Sequence, residues 1–204
     1  YHADALASAT APAAVVVETP KPASTIGGAV RMILDEETAK ARARGITITA
    51  DLPRPIYHTF APITFTELGR IFSNLIVNAV DAAEHGQKKV YITAKSSDTH
   101  CEITVRDFGN GFDPAALKRL REGRQGSTKP NGTGLGLLTA KALIEKAGGS
   151  LTISSLSNGA IVLVHLPILE TPAWFHDITR TKATTILALD DDSTMNKQLK
   201  SIFP

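Results

Sequence analysis

Five polar residues, Glu67, Arg70, Asn74, Asn78 and Asp81, recur at steps of three and four in this 204-residue chain. In a helix that spacing lines them along a single ridge. Leu68, Ile71, Phe72, Leu75, Ile76, Ala79, Val80 and Ala83 fill the positions between them as one apolar face. A solvated ridge favours Lys, Glu and Gln, because Asn and Asp are poorer helix formers. The Asn and Asp residues therefore suggest a use for short side chains. An Asn carbonyl oxygen is a neutral hard ligand suited to Mg2+ beside phosphates. Taken alone, the ridge is read equally well as a solvated surface.

Asp107-Phe108-Gly109-Asn110-Gly111 closes a strand-like run. These are turn residues, but Asp107 can also accept a hydrogen bond from an exocyclic amine, and the glycines would let a flat ring approach the backbone. Gly132-Thr133-Gly134-Leu135-Gly136-Leu137 opens a helix after a polar loop. It fits neither the dinucleotide fingerprint nor a P-loop. Free N–H groups at such a helix start can bind phosphate oxygens. Lys129 or Arg124 could pair with a terminal phosphate; the plain alternative is a flexible loop with incidental charges.

Periodicity supplies the elements that would hold these residues. A short strand is expected at Val15–Thr19 and a helix from Ile26 to Gly45. A strand follows at Ile46–Leu52, closed by Pro53 and Pro55. Thr64 with Glu67 makes a capping-box signature for the helix that bears the ridge. Lys89–Lys95 and Glu102–Asp107 read as paired strands, Pro114–Glu122 as a short helix and Leu135–Ala147 as a longer one. Leu151–Ser155 and Ile161–Leu166 read as a final hairpin turning at Asn158-Gly159.

Hydrophobic residues make up 43% of the chain, enough for a core, and the formal net charge of +2 gives no argument for nucleic acid. With Cys101 as its one cysteine, the chain cannot form an internal disulfide. No apolar run approaches the ~20 residues of a membrane span. The chain is expected to be cytoplasmic, or the cytoplasmic part of a membrane-bound sensor, with no membrane contact of its own. It begins at Tyr1 and stops at Pro204 inside an apparent helix, so both ends read as cuts in a longer polypeptide.

In this order and spacing, Asn74-Leu75-x-x-Asn78-Ala79, Asp107-x-Gly109-x-Gly111-Phe112 and Gly132-Thr133-Gly134-Leu135-Gly136-Leu137 resemble the N, G1 and G2 boxes of the GHKL ATP-binding superfamily. That superfamily includes histidine kinases, DNA gyrase, MutL and the heat-shock chaperone ATPases. Gly159 to Pro167 is similar to the closing strand of histidine kinase catalytic domains. The resemblance implies an α/β two-layer sandwich, a mixed sheet with three longer helices on one face, and ATP and Mg2+ as ligands. It assigns Mg2+ to Asn78 and the phosphates to Asn74, with Lys129 steadying the γ-phosphate; these three form the catalytic set. It assigns the adenine amine to Asp107, beside Gly109, Gly111 and Phe112. Asp81, Thr128, Thr133, Leu135 and Leu137 join the nucleotide site, and Gly132, Gly134 and Gly136 shape its lid.

One position separates branches of the superfamily. Gyrase, MutL and serine-kinase anti-sigma members typically carry a Glu general base four residues before the magnesium Asn. Here that residue is Asn74, which suits a nucleophile needing little deprotonation, such as imidazole. The resemblance therefore implies a sensor histidine kinase catalytic domain that phosphorylates a histidine on a separate dimerisation domain. The rivals are a non-enzymatic nucleotide switch of the same fold and a GHKL ATPase. Two features depart from the family pattern: there is no clear F box, where Leu117 and Leu120 stand in for aromatics, and Ala160 replaces a frequent Thr. His2, His58, His85, His100, His165 and His176 all lie outside any phosphoacceptor motif. The expected partners are the dimerisation helices of the parent protein and a receiver domain or response regulator.

Ile186 to Met195 resembles the start of a receiver domain, in which Asp190 and Asp191 would be the Mg2+-binding acidic pair if the domain were complete. The expected organisation is linker at 1–14, catalytic domain at 15–168, linker at 169–183 and truncated receiver at 184–204.

Overall fold

The computed structural model describes residues 23–124, 135–173 and 175. The chain divides into two units, Tyr1–Pro172 and Ala173–Pro204, and every described element belongs to the first. The strand expected at Val15–Thr19 and the receiver-like stretch 184–204 lie outside the described residues.

Strand β1 (Ser24–Thr25) leads into helix α1 (Ile26–Ala43). The helix buries Ile26, Val30, Ile33, Leu34 and Ala41, the apolar positions of its helical repeat, and ends at Arg44. Strand β2 (Thr47–Asp51) follows, then a 3-10 helix (Arg54–His58) entered through Pro53, and β3 (Phe60–Ala61). The β1–β3 pair is a small antiparallel ladder that two-residue runs are too short to announce in sequence.

Helix α2 (Phe65–Glu84) begins with the capping box: Thr64 Oγ1 accepts the Glu67 N–H at 3.2 Å, and Glu67 Oε2 accepts the Thr64 N–H at 3.1 Å. Its apolar face is almost wholly buried. Phe72 is fully enclosed, so Phe72→Ala would cost about 3–5 kcal/mol.

Strands β4 (Lys89–Ser96), β5 (His100–Asp107), β6 (Ser150–Leu156) and β7 (Gly159–Pro167) complete a five-stranded mixed sheet in the order β2-β4-β5-β7-β6. Only the β2–β4 pairing is parallel. The period-two alternation sends Val90, Ile92 and Ala94, then Cys101, Ile103 and Val105, then Val162, Val164 and Leu166 to one face. There they join the buried residues of α1, α2 and α4 (Leu135–Lys146) in one core. A short helix, α3 (Pro114–Arg121), starts at Asp113, whose side chain accepts the Ala116 N–H. This is the two-layer α/β arrangement expected from the sequence.

The final turn differs by one residue from the expected Asn158-Gly159. Leu156 pairs with Gly159, so Ser157 and Asn158 form the loop. Gly159 belongs to the β7 ladder, where it lies beside Asp107 of the neighbouring strand.

Candidate functional site

The helical repeat of α2 that buries Leu75, Ile76, Ala79 and Val80 leaves Asn74, Asn78 and Asp81 half-buried along its edge. Two neighbouring helices brace this ridge. From the end of α1, Arg44 Nη1 donates to Asp81 Oδ1 at 2.9 Å and Nη2 donates to Glu84 Oε2 at 2.5 Å. From the last turn of α4, Lys146 Nζ donates to Glu67 Oε1 at 2.8 Å. Lys146, with the two hydrogen bonds from Thr64, holds the Glu67 carboxyl down at about 2.

The register of β5 places Asp107 on the core face, 5% exposed, where a lone carboxylate would be costly. Two backbone donors compensate. The Gly109 N–H reaches Asp107 Oδ1 at 2.9 Å and the Ala160 N–H reaches the same oxygen at 3.2 Å. Burial still dominates and raises the Asp107 pKa, with these bonds working against it. Both of these donors converge on Oδ1 rather than Oδ2.

The backbone after Asp107 runs against the end of α2. A Cβ on Gly109 would lie 2.2 Å from the Ala82 carbonyl oxygen, and one on Gly86 would lie 2.0 Å from the Phe108 carbonyl oxygen. Only hydrogen fits at either point, so the loop is seated by a glycine from each side. The Gln87 N–H donates to the Phe108 carbonyl at 2.9 Å. Farther on, Gly111 abuts β6, and Ser155 Oγ accepts the Phe112 N–H at 2.9 Å. Phe112 packs partly buried against the core. The Phe108 ring lies beneath the Arg106 guanidinium at 4.6 Å and edge-on to Tyr91 at 5.5 Å.

Of the third motif, Leu135, Gly136 and Leu137 are described and open α4. Leu135 is 44% exposed and Leu137 packs partly buried on the core. A Cβ on Gly136 would stand 2.9 Å from Asn74 Oδ1, so the first turn of α4 meets the polar ridge directly. Thr128, Lys129, Gly132, Thr133 and Gly134 lie outside the described residues, as do Asp190 and Asp191.

The structure thus brings the Asn ridge of α2 against the start of α4, and the Asp107 loop against the end of α2. Gly86, Ser155 and Arg44 escaped sequence reasoning, and Ala160 was read only as the replacement of a frequent Thr. Gly86 carried no motif, Ala160 acts through its backbone alone, and Arg44 stands 37 residues from its partner Asp81.

Asn74 and Asn78 offer neutral amide oxygens that could join the shell of a divalent ion. Among the described residues no group of three His, Cys, Asp or Glu side chains can hold a metal. An Asn oxygen would then complement phosphate oxygens, as Mg2+ sites on nucleotides commonly do. No helix among the described residues is long and apolar enough to cross a membrane.

Residues 64–170 match the model of the histidine kinase-, DNA gyrase B- and HSP90-like ATPases. Sensor histidine kinase RppB of Synechocystis sp. is 38% identical over 113 residues, a match covering 52% of this chain and 25% of that protein. Sensor histidine kinase TmoS of Ectopseudomonas mendocina is 30% identical over 144 residues, covering 68% of this chain and 14% of that protein. The chain therefore spans a quarter or less of these relatives. Among solved structures, a mycobacterial sensor histidine kinase, MprB, shares the fold with a TM-score of 0.60 at 21% identity, over 73% of this chain and 98% of that one. Full-length ShkA in complex with AMPPNP has a TM-score of 0.56 at 27% identity, over 71% of this chain and 30% of that one. The chain belongs to the histidine kinase-, DNA gyrase B- and HSP90-like ATPase family.

Proposed function

We propose that this chain is the ATP–Mg2+-binding catalytic domain of a sensor histidine kinase, which passes the ATP γ-phosphate to a histidine on a dimerisation domain. The observation that carries this reading is Asp107: a buried carboxylate whose Oδ1 is held by the Gly109 and Ala160 N–H groups and whose Oδ2 would accept the adenine amine. Asn78 would hold Mg2+ and Asn74 would assist at the phosphates. Gly109, Gly111 and Phe112 would border the ring, and Lys129 would pair with the γ-phosphate from the lid. The protein's contribution is positioning and charge neutralisation, as in phosphoryl transfer generally. Asn74 stands where an ATPase needs a carboxylate base, so water is poorly activated, whereas a neutral imidazole needs no such base.

The relatives named as sensor histidine kinases support this reading over a GHKL ATPase. The parent would sit in, or face, the cytoplasm, and Asp190 and Asp191 would belong to an attached receiver domain. Incubation with γ-labelled ATP tests the function. The chain alone should bind ATP–Mg2+ without labelling itself, and label should reach a dimerisation hairpin supplied as a separate chain, since proximity provides much of the rate. Fast ATP turnover by the chain alone would favour the ATPase reading. Binding without transfer to the hairpin would favour a non-enzymatic switch.

A further inference from the structure

One guanidinium spans two carboxylates a turn apart at the end of α2. Arg44 reaches Asp81 Oδ1 at 2.9 Å and Glu84 Oε2 at 2.5 Å, a fork matched to two separate oxygens. The place of this clamp in the fold is distinctive. Asp81 lies on the ridge of Asn74 and Asn78, and its neighbour Ala82 is the backbone on which Gly109 seats. Asp81 therefore continues the Asn ridge, and Glu84 follows one turn later on the side facing α1. A polyanion lying along that ridge would be repelled by both.

The fold has little need of this clamp. The Arg44 side chain is 34% exposed, and ion pairs at such exposure contribute little to stability. Its effect falls on the potential along the ridge and on where the Asp81 carboxylate points.

We propose that Arg44 is a positioning residue of the nucleotide site, holding Asp81 toward α1 and halving the negative charge that α2 presents to the phosphates. This rests on the ridge being the nucleotide site. Arg44 acts through Asp81 and does not itself touch the ligand. With Arg44 in place, the Arg44–Asp81–Glu84 trio carries one net negative charge; without it, two.

Titration calorimetry with Mg-AMPPNP on the full chain tests the idea, using wild type, Arg44→Ala, Glu84→Gln and the double variant Arg44→Ala/Glu84→Gln, with thermal melts alongside. Arg44→Ala should weaken binding about three- to tenfold at low salt, and the loss should shrink at high salt. The double variant restores the wild-type net charge without restoring the clamp and should recover at least half of the lost affinity. A merely structural role would not produce that rescue. Glu84→Gln alone, with Arg44 intact, should bind at least as tightly as wild type. Wild-type affinity in Arg44→Ala at low salt would overturn the proposal, as would a double variant as weak as Arg44→Ala. If the wild-type chain fails to bind Mg-AMPPNP, the nucleotide reading itself falls, and this role with it.

Discussion

The Ala160 backbone N–H on β7 donates to Asp107 Oδ1 on β5 at 3.2 Å, joining two strands through a side chain as well as through their ladder. The Gly109 N–H shares the same oxygen. The two donors hold Oδ1 from both sides of the strand end. The residue at 160 thus serves the site whatever its side chain, because the contact is made by the main chain.

Asp107→Asn should keep the Oδ1 contacts and place an amide donor where Oδ2 accepted. Loss of a hydrogen bond to a charged group corresponds to roughly 1.5–3 kcal/mol, or about 10- to 100-fold in ATP affinity. A guanine nucleotide, which shows a carbonyl at the matching ring position, should lose less. Equal losses in calorimetry would contradict adenine reading by this residue. Burial raises the Asp107 pKa, so protonation should abolish the acceptor at a pH above the ordinary aspartate range. ATP affinity in the wild type should therefore fall on acidification earlier than a free carboxylate would. The contribution of Asp107 to fold stability runs the other way, present at low pH and lost as pH rises through its raised value.

Asn78→Ala should remove the Mg2+ dependence of nucleotide binding with little change in melting temperature. Asn78 is half-buried on the ridge and fills no part of the apolar core, so its truncation leaves no core cavity. Binding isotherms with Mg2+ and with EDTA should converge in the variant. Persistence of the full wild-type difference would remove Asn78 from the metal site.

Gly136→Ala should weaken nucleotide binding severalfold while leaving the sheet intact. Its Cβ would stand 2.9 Å from Asn74 Oδ1, so either the Asn74 side chain or the first turn of α4 must shift. Amide hydrogen exchange should rise at the start of α4 and stay unchanged in β5 and β7. Wild-type affinity and exchange would show that the contact is easily relieved.

Glu67 should contribute to acid sensitivity. Lys146 first, then the Thr64 side chain and backbone, lower its pKa from 4.5 to about 2. Its stabilisation is therefore present above pH 4.5 and lost as pH falls from there toward 2. Glu67→Gln preserves a capping-box partner and removes only the charge. Because Lys146 is 73% exposed, the difference at neutral pH should be about 1 kcal/mol or less. Melting curves of the two proteins should converge as pH falls to about 2, where Glu67 protonates; a constant gap from neutral pH down to that point would refute the linkage.

Wherever a property repeats along the chain, sequence alone determined it. The apolar period of α2, its Thr64–Glu67 cap, the alternation in β4, β5 and β7, and the order of the three motifs are all legible locally, and the fold class came from the family that those motifs resemble. The Asn74–Asn78–Asp81 ridge was legible because a helix converts spacing into direction. Contacts that depend on which distant backbones meet were left to the tertiary structure. Gly86 matters because the Phe108 carbonyl crosses the end of α2, and Ala160 because β7 lies beside β5 rather than at the sheet edge. Arg44 pairs with Asp81 because α1 ends beside the last turns of α2. No periodicity encodes such a meeting: it is set by the packing of helices and strands far apart in sequence, which must bury one shared apolar face before their polar edges can come together.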